Sequence, residues 1–324
     1  MLRKVIARKA ALALGLLLGL MLGLTLGAHV ATAAPINDAE AALDKKDYAT
    51  ALRILKPLAE QGSMQAQSLL GIMALSGEGM KKDEAEAAKW FKLAADQGDT
   101  VAQTSLALAY ETGRGVAIDN AAAAKYFRMA ADKGFATAQS SLGSLYELGL
   151  GVKKDEAEAV KWFTLAAAQN FPRAQFYLGA AYEFGRGTAQ DLPTAVKYYR
   201  LAADAGVAEA QYNLAVLYAQ GRGVAQDDKE AVTLFKLASE QAHVMAQFAV
   251  AGAYAAGRAT PKDLVKAYAY FSMSTDRLWA EAATTAASRR DAVAAMMTPA
   301  QISEAQKFTV ACKAQIYKHC EEGR

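Results

Sequence analysis

Histidine, the side chain that most often serves both general acid–base catalysis and metal binding, is scarce in this chain. After residue 33 it occurs only as His243 and His319, which lie far apart in sequence. No H-E-x-x-H, G-x-S-x-G, C-x-x-C or phosphate-loop motif accompanies them. This pattern predicts neither a catalytic triad nor a metal site. We interpret His243 as a surface residue at the start of a helix.

Three glutamates recur at one position of a repeated pattern and could act as paired carboxylates in acid–base chemistry. Arginines recur a few residues later in the same pattern. Exposed ion pairs of this kind contribute at most about 1 kcal/mol each. We therefore interpret the series as solvated surface or modest ion pairs, and we predict no enzymatic activity, no cofactor and no metal. The residues are Glu111, Glu147 and Glu183, with Arg114, Arg186, Arg222 and Arg258.

The two cysteines, Cys312 and Cys320, could form a disulfide in an oxidising compartment. Eight residues of helix span about 12 Å, whereas the Cα atoms of a disulfide lie about 4 to 7 Å apart. A bond therefore requires the last helix to end before Cys320. We favour this local disulfide. The alternatives are free or intermolecular thiols, or a metal bound through His319 and Cys320.

The composition of the 324 residues predicts a folded protein, because 53% are apolar and only six are proline. The formal net charge is +3, but four of the positive charges lie within the first nine residues, which leaves −1 for the remainder. A nearly neutral chain has no overall field that attracts phosphates. A nucleic-acid partner is therefore not expected.

The first 33 residues have the pattern of a secretory signal peptide: a basic start, an apolar run from Ala10 to Gly27, and the small-residue site Ala31-Thr32-Ala33. We predict cleavage after Ala33 and a periplasmic or secreted protein. The apolar run is long for a leader, and glycines recur in it every fourth residue, as in membrane helix contacts. An uncleaved inner-membrane anchor is the alternative, and it is the one membrane contact that the sequence predicts.

The rest of the chain repeats itself at an offset of 36 residues without insertion. The dipeptide Ala-Gln recurs six times, a Gly-x-Gly follows five of the copies, and the sixth copy reads Gly257-Arg258-Ala259. We divide the chain into a signal peptide (1–33), an N-terminal capping half repeat (34–62), six tandem repeats (63–278) and C-terminal capping helices (279–324). The six dipeptides begin at Ala66, Ala102, Ala138, Ala174, Ala210 and Ala246.

Each copy has two stripes of apolar residues at helical spacing, which predicts two helices. In the third copy, Gly149 and Gly151 lie between the helices and can adopt positive φ in a tight turn. Asp155 is the expected N-cap of the second helix, and Glu158 would complete an acidic capping box. The same pairing recurs in other copies, as Asp83 with Glu86 and Asp227 with Glu230.

Such a hairpin cannot bury its apolar face alone, so neighbouring copies must stack. The predicted fold is an all-α, right-handed solenoid of 36-residue antiparallel helical hairpins. The repeated glutamine is expected to bond to backbone between copies. At the ends we expect a short helix from about Asn37, a helix from Leu278 to Met297, and a final helix capped by Thr298, Pro299 and Gln301.

The third copy reads A-Q-x-x-L-G-x-L-Y-x-x-G-x-G-V from Ala138 to Val152, then Asp155, then A-V-K-W-F-x-L-A-A from Ala159 to Ala167. This pattern resembles the Sel-one-like repeat family, which is related to the tetratricopeptide repeats. The resemblance implies a scaffold for protein contacts. It also implies bacterial relatives that regulate signalling receptors, support envelope polysaccharide export or contact host cells. It implies no shared chemistry.

On the first helix of each copy, a second stripe at i, i+4, i+7 and i+11 is expected to line the concave surface of the solenoid. In the fourth and fifth copies this stripe mixes aromatic, amide and charged groups, which suits the binding of an extended peptide or a helix. Ordinary packing between repeats is the alternative interpretation. The candidate partner-binding residues are Arg173, Tyr177, Phe184, Glu209, Asn213 and Gln220, with Ala180 and Val216 between them.

These observations favour a non-enzymatic periplasmic or secreted adaptor that holds a partner protein in its groove, with a role in envelope signalling or export that the resemblance implies. Polysaccharide binding through the groove aromatics is one alternative. A β-lactam-hydrolysing or cell-wall enzyme is another, because some cysteine-rich secreted relatives are associated with that activity. Those relatives have a cysteine pair in each repeat, and this chain has none.

Overall fold

The computed structural model describes residues 30–275 and 280–314, and within these ranges every regular element is an α-helix. The predicted all-α fold is thereby confirmed. The predicted leader up to residue 29 lies outside the described residues. The helices are α1 (Val30–Asp44), α2 (Tyr48–Glu60), α3 (Met64–Ser76), α4 (Glu84–Asp96), α5 (Thr100–Thr112), α6 (Asn120–Asp132), α7 (Ala136–Leu148), α8 (Glu156–Ala168), α9 (Pro172–Phe184), α10 (Leu192–Asp204), α11 (Ala208–Gln220), α12 (Asp228–Glu240), α13 (Val244–Ala256), α14 (Leu264–Thr275), α15 (Ala280–Ala294) and α16 (Pro299–Ala314).

The chain divides between Lys154 and Asp155 into two compact units. The first unit contains α1 to α7, and the second contains α8 to α16. Within each unit, consecutive helices pack against one another along the chain, except that α15 and α16 both pack on α14. Each unit is therefore a stack of helical hairpins, as the 36-residue period predicts. Among the described residues, no helix is both long and apolar enough to cross a membrane.

Glycine ends the first helix of each copy in the left-handed conformation that the sequence predicts. At Gly113, which ends α5, φ is 69° and the N–H donates to the carbonyl of Ala109. The second glycine of the loop packs against the preceding copy: a Cβ at Gly115 would lie 2.0 Å from the carbonyl oxygen of Glu84. The loop thus needs glycine for its φ and for this close approach.

Aspartate caps the second helix, but the predicted capping box forms only in half. Asp83 accepts hydrogen bonds from the backbone N–H of Ala85 and Glu86, and Asp227 caps α12 in the same way. The reciprocal bond from glutamate to the aspartate N–H is missing. The N–H of Asp83 instead donates to the carbonyl of Ala74 on the first helix. The hairpin turn has already satisfied this donor, so glutamate is not needed for it.

The repeated glutamine bonds to the backbone of the preceding copy, which confirms the prediction. Its Nε2 donates to the carbonyl of the residue eight positions earlier, in the last turn of the preceding helix, at 3.0 to 3.5 Å. The same carbonyl also accepts the backbone N–H of the residue three positions after it, so the buried glutamine adds a second hydrogen bond at the end of the preceding helix. The bond is present at Gln67, Gln103, Gln139, Gln211 and Gln247.

The terminal helices differ from the predictions mainly at their boundaries. Helix α1 begins at Val30 rather than near Asn37, so the predicted cleavage site after Ala33 lies within a helix. Helix α15 ends at Ala294 rather than at Met297, and its predicted start at Leu278 lies outside the described residues. The final capping box is confirmed. Thr298 Oγ1 accepts from the N–H of Gln301 at 3.3 Å, and Gln301 Oε1 accepts from the N–H of Thr298 at 2.9 Å.

Candidate functional site

The residues that the sequence predicts for partner binding lie on the first helices of two successive copies in the second unit, α9 and α11. We call this set the first-helix stripe: Arg173, Tyr177, Ala180 and Phe184 on α9, and Glu209, Asn213, Val216 and Gln220 on α11. Both ends of the stripe are exposed on each helix, whereas its middle positions are partly or fully buried. The stripe is therefore a shallow surface with polar and aromatic ends.

Two aromatic side chains on α9 hold arginines at their faces. Arg173 Nε donates to the Tyr177 hydroxyl at 3.1 Å, and its guanidinium lies 5.6 Å from the centre of that ring. The Tyr177 ring stacks on Phe163 with centroids 4.9 Å apart, which fixes its position. Phe184 at the other end of the helix is 58% exposed, and the Arg186 guanidinium lies 5.1 Å from its ring centre. An exposed aromatic ring of this kind is a typical anchor for a partner.

A buried polar network lies beneath the stripe, and the sequence analysis did not identify it. Tyr199 on α10 is fully buried, and its hydroxyl donates to Glu183 Oε2 at 2.9 Å. Asn213 Nδ2 on α11 donates to the same hydroxyl at 3.2 Å. Arg222, in the loop after α11, donates to Glu183 Oε1 at 3.3 Å. The network thus links the two helices of the stripe through the helix between them.

Burial, reinforced by the adjacent Glu183 carboxylate, holds the pKa of the Tyr199 hydroxyl far above its ordinary value. The phenol therefore stays protonated, and its O–H donates a hydrogen bond to the carboxylate. Glu183 itself is 5% exposed, so the interpretation of this glutamate as part of a solvated surface series is wrong. The arginine and the tyrosine, which come from neighbouring elements, provide the hydrogen bonds that allow a carboxylate to be buried here.

One signal in the sequence could have revealed the network. The position of Tyr199 is phenylalanine in the other five copies: Phe91, Phe127, Phe163, Phe235 and Phe271. A single hydroxyl among six otherwise identical core positions needs a partner when it is buried. The partner then has to come from the polar residues that face it, which are Glu183 and Asn213.

A hollow continues the stripe into the sixth copy. Its volume is about 310 Å³, and small residues on α13, Ala249, Gly252 and Ala256, form one wall. These residues occupy the stripe positions that carry larger side chains in the fourth and fifth copies. Phe235 also lines the hollow, and the partly exposed Asp228 and Arg258 form its rim. The run of alanine and glycine at stripe positions was the sequence signal for this cavity.

Two other arginines of the loop series pair with carboxylates of the preceding copy. Arg114 contacts Glu84 at 3.1 Å, and Arg258 contacts Asp228 through two hydrogen bonds of 2.7 and 2.8 Å. All four side chains are partly exposed. These pairs agree with the predicted modest ion pairs, but the carboxylates begin the second helices rather than belonging to the recurring glutamate series.

His243 begins α13, as predicted, but it is not simply a surface residue. Its Nδ1 accepts a hydrogen bond from the Ala246 N–H at 3.2 Å, so the imidazole is the N-cap. The ring stacks on Tyr212 with centroids 4.6 Å apart. Burial lowers the pKa of His243, and nearby Glu209 opposes this effect. The described residues hold no group of three or more histidine, cysteine, aspartate or glutamate side chains suited to bind a metal.

Cys312 is buried on α16, where it joins the core of the second unit. Cys320 and His319 lie outside the described residues. The disulfide between Cys312 and Cys320 therefore stays a prediction.

Six consecutive segments match the Sel1 repeat, at residues 65–99, 100–135, 136–171, 172–207, 208–243 and 244–277. A Sel1 repeat protein from Oxalobacter formigenes, known from a crystal structure, is 31% identical with a TM-score of 0.69, over 75% of this chain and 97% of that chain. A protective antigen of uropathogenic Escherichia coli with an SLR fold is 24% identical with a TM-score of 0.48, over 90% and 85% of the two chains. No curated protein matches the chain.

The matched segments are contiguous, and they contain all the helices that carry the first-helix stripe, the buried network and the hollow. Stacked hairpins of this kind form a scaffold suited to protein–protein interaction. The chain belongs to the Sel1 repeat family.

Proposed function

We propose that this protein is a non-catalytic adaptor that binds a segment of a partner protein along the first-helix stripe of its second unit. The observation that carries the proposal is Phe184, a large aromatic side chain that is 58% exposed within a stripe of mixed polar groups. A few buried aromatic and arginine side chains dominate the binding energy of most protein interfaces. Phe184 and Arg173 supply both types on one helix.

The stripe continues into the hollow of the sixth copy. Across three helices, the surface therefore presents an aromatic ring, amide groups and the apolar hollow, in that order. A partner segment that lies across these three helices would place one apolar side chain in the hollow. Arg258 and Asp228 at the rim neutralise each other through their paired hydrogen bonds. The hollow therefore suits an uncharged side chain.

The proposal includes a periplasmic or secreted location. It is supported by the basic start, the apolar run and the small-residue site that ends at Ala33. A partner would then be an envelope or extracellular protein, such as a signalling receptor or an export component.

The test is an affinity pull-down with the chain from Ala34 onward as bait, from a cross-linked envelope extract of its own organism, read by mass spectrometry. We expect one enriched protein. Phe184→Ala should reduce its capture about tenfold or more, the usual effect of losing a central aromatic anchor. The matched control is Leu165→Ala, which removes a side chain of similar exposure, 49%, from the second helix α8.

Equal loss in both variants would indicate a general effect on folding or solubility. Equal capture by the wild type and Phe184→Ala would contradict the stripe as the binding surface. Enrichment of glycan without protein would favour polysaccharide binding instead.

A further inference from the structure

The buried network beneath the first-helix stripe fixes the orientation of one amide on its surface. The Tyr199 hydroxyl has a single proton, and this proton forms the hydrogen bond to Glu183 Oε2 at 2.9 Å. Toward Asn213 the same oxygen can only accept. Asn213 must therefore present its NH₂ group to Tyr199, as it does at 3.2 Å.

This orientation leaves binding capacity on the other side of the Asn213 amide. Its Oδ1 and its second N–H are not needed for the bond to Tyr199, and no residue in the described ranges bonds to them. The side chain is half-buried at the middle of the stripe, between Glu209 and Gln220. An acceptor and a donor on one planar group match the N–H and C=O of a peptide backbone.

We propose that Asn213 binds the main chain of an extended partner segment, through a bond from a peptide N–H to Oδ1 and a bond from Nδ2 to a peptide C=O. The buried Glu183–Tyr199 pair holds the amide ready for this contact. The inference rests on the proposed function, because it assigns one polar contact within the same surface. Main-chain recognition at Asn213 leaves the choice of partner sequence to Phe184 and the hollow.

The other copies suggest conservative variants that test this contact. The position of Asn213 is serine in the second and third copies, Ser105 and Ser141, and the position of Tyr199 is phenylalanine in the five others. Asn213→Ser and Tyr199→Phe thus introduce residues that other copies carry at the same positions. Tyr198→Phe, on the same helix, is the matched control, since its ring stacks on Tyr182 outside the network.

The experiment uses peptides from a phage-displayed library of random 12-residue sequences, selected on the full chain and resynthesised. Binding is measured by fluorescence anisotropy, with each backbone nitrogen of the peptide methylated in turn. In the wild type, one methylated position should weaken binding about five- to tenfold, the usual effect of one hydrogen bond. Asn213→Ser should weaken the unmodified peptide to a similar degree, and methylation of that position should then have no further effect. Tyr199→Phe should weaken binding, and Tyr198→Phe should not.

Unchanged affinity in Asn213→Ser, or a methylation effect of equal size in the wild type and this variant, would overturn the inference. The Phe184→Ala variant shows whether a negative result contradicts this inference alone or the proposed function as well. If Phe184→Ala loses the peptide and Asn213→Ser keeps it, the stripe binds peptides without main-chain recognition by Asn213. If no peptide is selected, or Phe184→Ala binds as the wild type does, both proposals fail.

Discussion

The buried glutamine of the repeat makes a side-chain hydrogen bond to the preceding hairpin. Gln67 donates to the carbonyl of Ala59, and its Oε1 accepts from Gln97 Nε2 at 2.7 Å. Gln241 contacts Gln211 in the same way at 2.9 Å. In the second copy the donor is replaced by Lys133, so the buried Oε1 of Gln103 has no partner among the described residues. An unsatisfied buried acceptor costs about 1 to 3 kcal/mol.

Lys133→Gln should therefore stabilise the protein by about 1 kcal/mol, because the new amide can donate to Gln103 Oε1 as Gln97 does to Gln67. The lysine loses only an exposed bond to the Gly98 carbonyl. Urea unfolding followed by circular dichroism measures the change. Lys133→Ala is the control and should bring no gain. A glutamine variant no more stable than the alanine variant would refute the explanation.

His243 predicts a dependence of stability on pH. Its Nδ1 can accept the Ala246 N–H only while the imidazole is neutral, and burial lowers its pKa below the ordinary value of 6.5. The unfolded chain then binds a proton more readily than the folded protein. The stability contributed by His243 is fully present above pH 6.5 and is lost as the pH falls through this value toward the lowered pKa.

The measurement compares the wild type with His243→Ser by urea unfolding between pH 7.5 and 5. Serine caps α3 at the equivalent position, Ser63, and does not titrate. The wild type should lose stability relative to the serine variant as the pH falls, by at most about 1.4 kcal/mol per pH unit, the limit for one proton. A difference between the two proteins that stays constant with pH would contradict the assignment.

At the scale of elements, the loop between the two helices of a copy depends on its second glycine. At Gly187, φ is 68° and an added Cβ would lie 2.1 Å from the carbonyl oxygen of Glu156. The sixth copy has Ala259 at this position, with φ of 56°. A left-handed conformation costs a residue with a Cβ about 1 to 2 kcal/mol. The sixth loop is therefore strained where the others are not.

Ala259→Gly should relieve this strain and stabilise the second unit by about 0.5 to 1 kcal/mol, after allowance for the greater freedom of glycine in the unfolded chain. Thermal and urea unfolding both measure the gain. The control is Ala292→Gly, an exposed position within α15, which should lose about 1 kcal/mol. Loss of stability in both variants would show that the loop is not strained.

At the scale of the whole molecule, a stack of hairpins must end in helices that cover its last apolar face. In the second unit, α15 and α16 both pack on α14, and Val293 and Cys312 join the core that begins at Ala180. Val293 is 3% exposed, whereas Met296 one turn later is 57% exposed. The C-terminal helices thus complete the core.

Val293→Asp should destabilise the second unit by about 3 kcal/mol or more, because an unpaired carboxylate would enter an apolar core. Met296→Asp adds the same charge at an exposed position and should leave stability within about 0.5 kcal/mol of the wild type. Limited proteolysis and urea unfolding distinguish the two. Equal stability of both variants would mean that these helices do not close the core.

The sequence by itself determined the local structure of this protein. The 36-residue period, the loop glycines and the aspartate caps act over a few residues, so the helix boundaries within the repeats and the bond made by the repeated glutamine could be predicted from them. The family likeness followed from the same pattern. The end helices were less well predicted, as the early start of α1 at Val30 shows, because their neighbours differ from those of an internal copy.

Only the tertiary structure decided which polar groups are buried and what they contact. Glu183 resembles Glu111 and Glu147 in sequence, yet the Tyr199 hydroxyl and Arg222 come from other elements and make its burial possible. The missing hydrogen bond of the capping box has a similar origin, because the N–H of Asp83 already donates to the carbonyl of Ala74 across the turn. Burial and pairing depend on residues that other elements bring into contact, and the pattern within one helix does not contain that information.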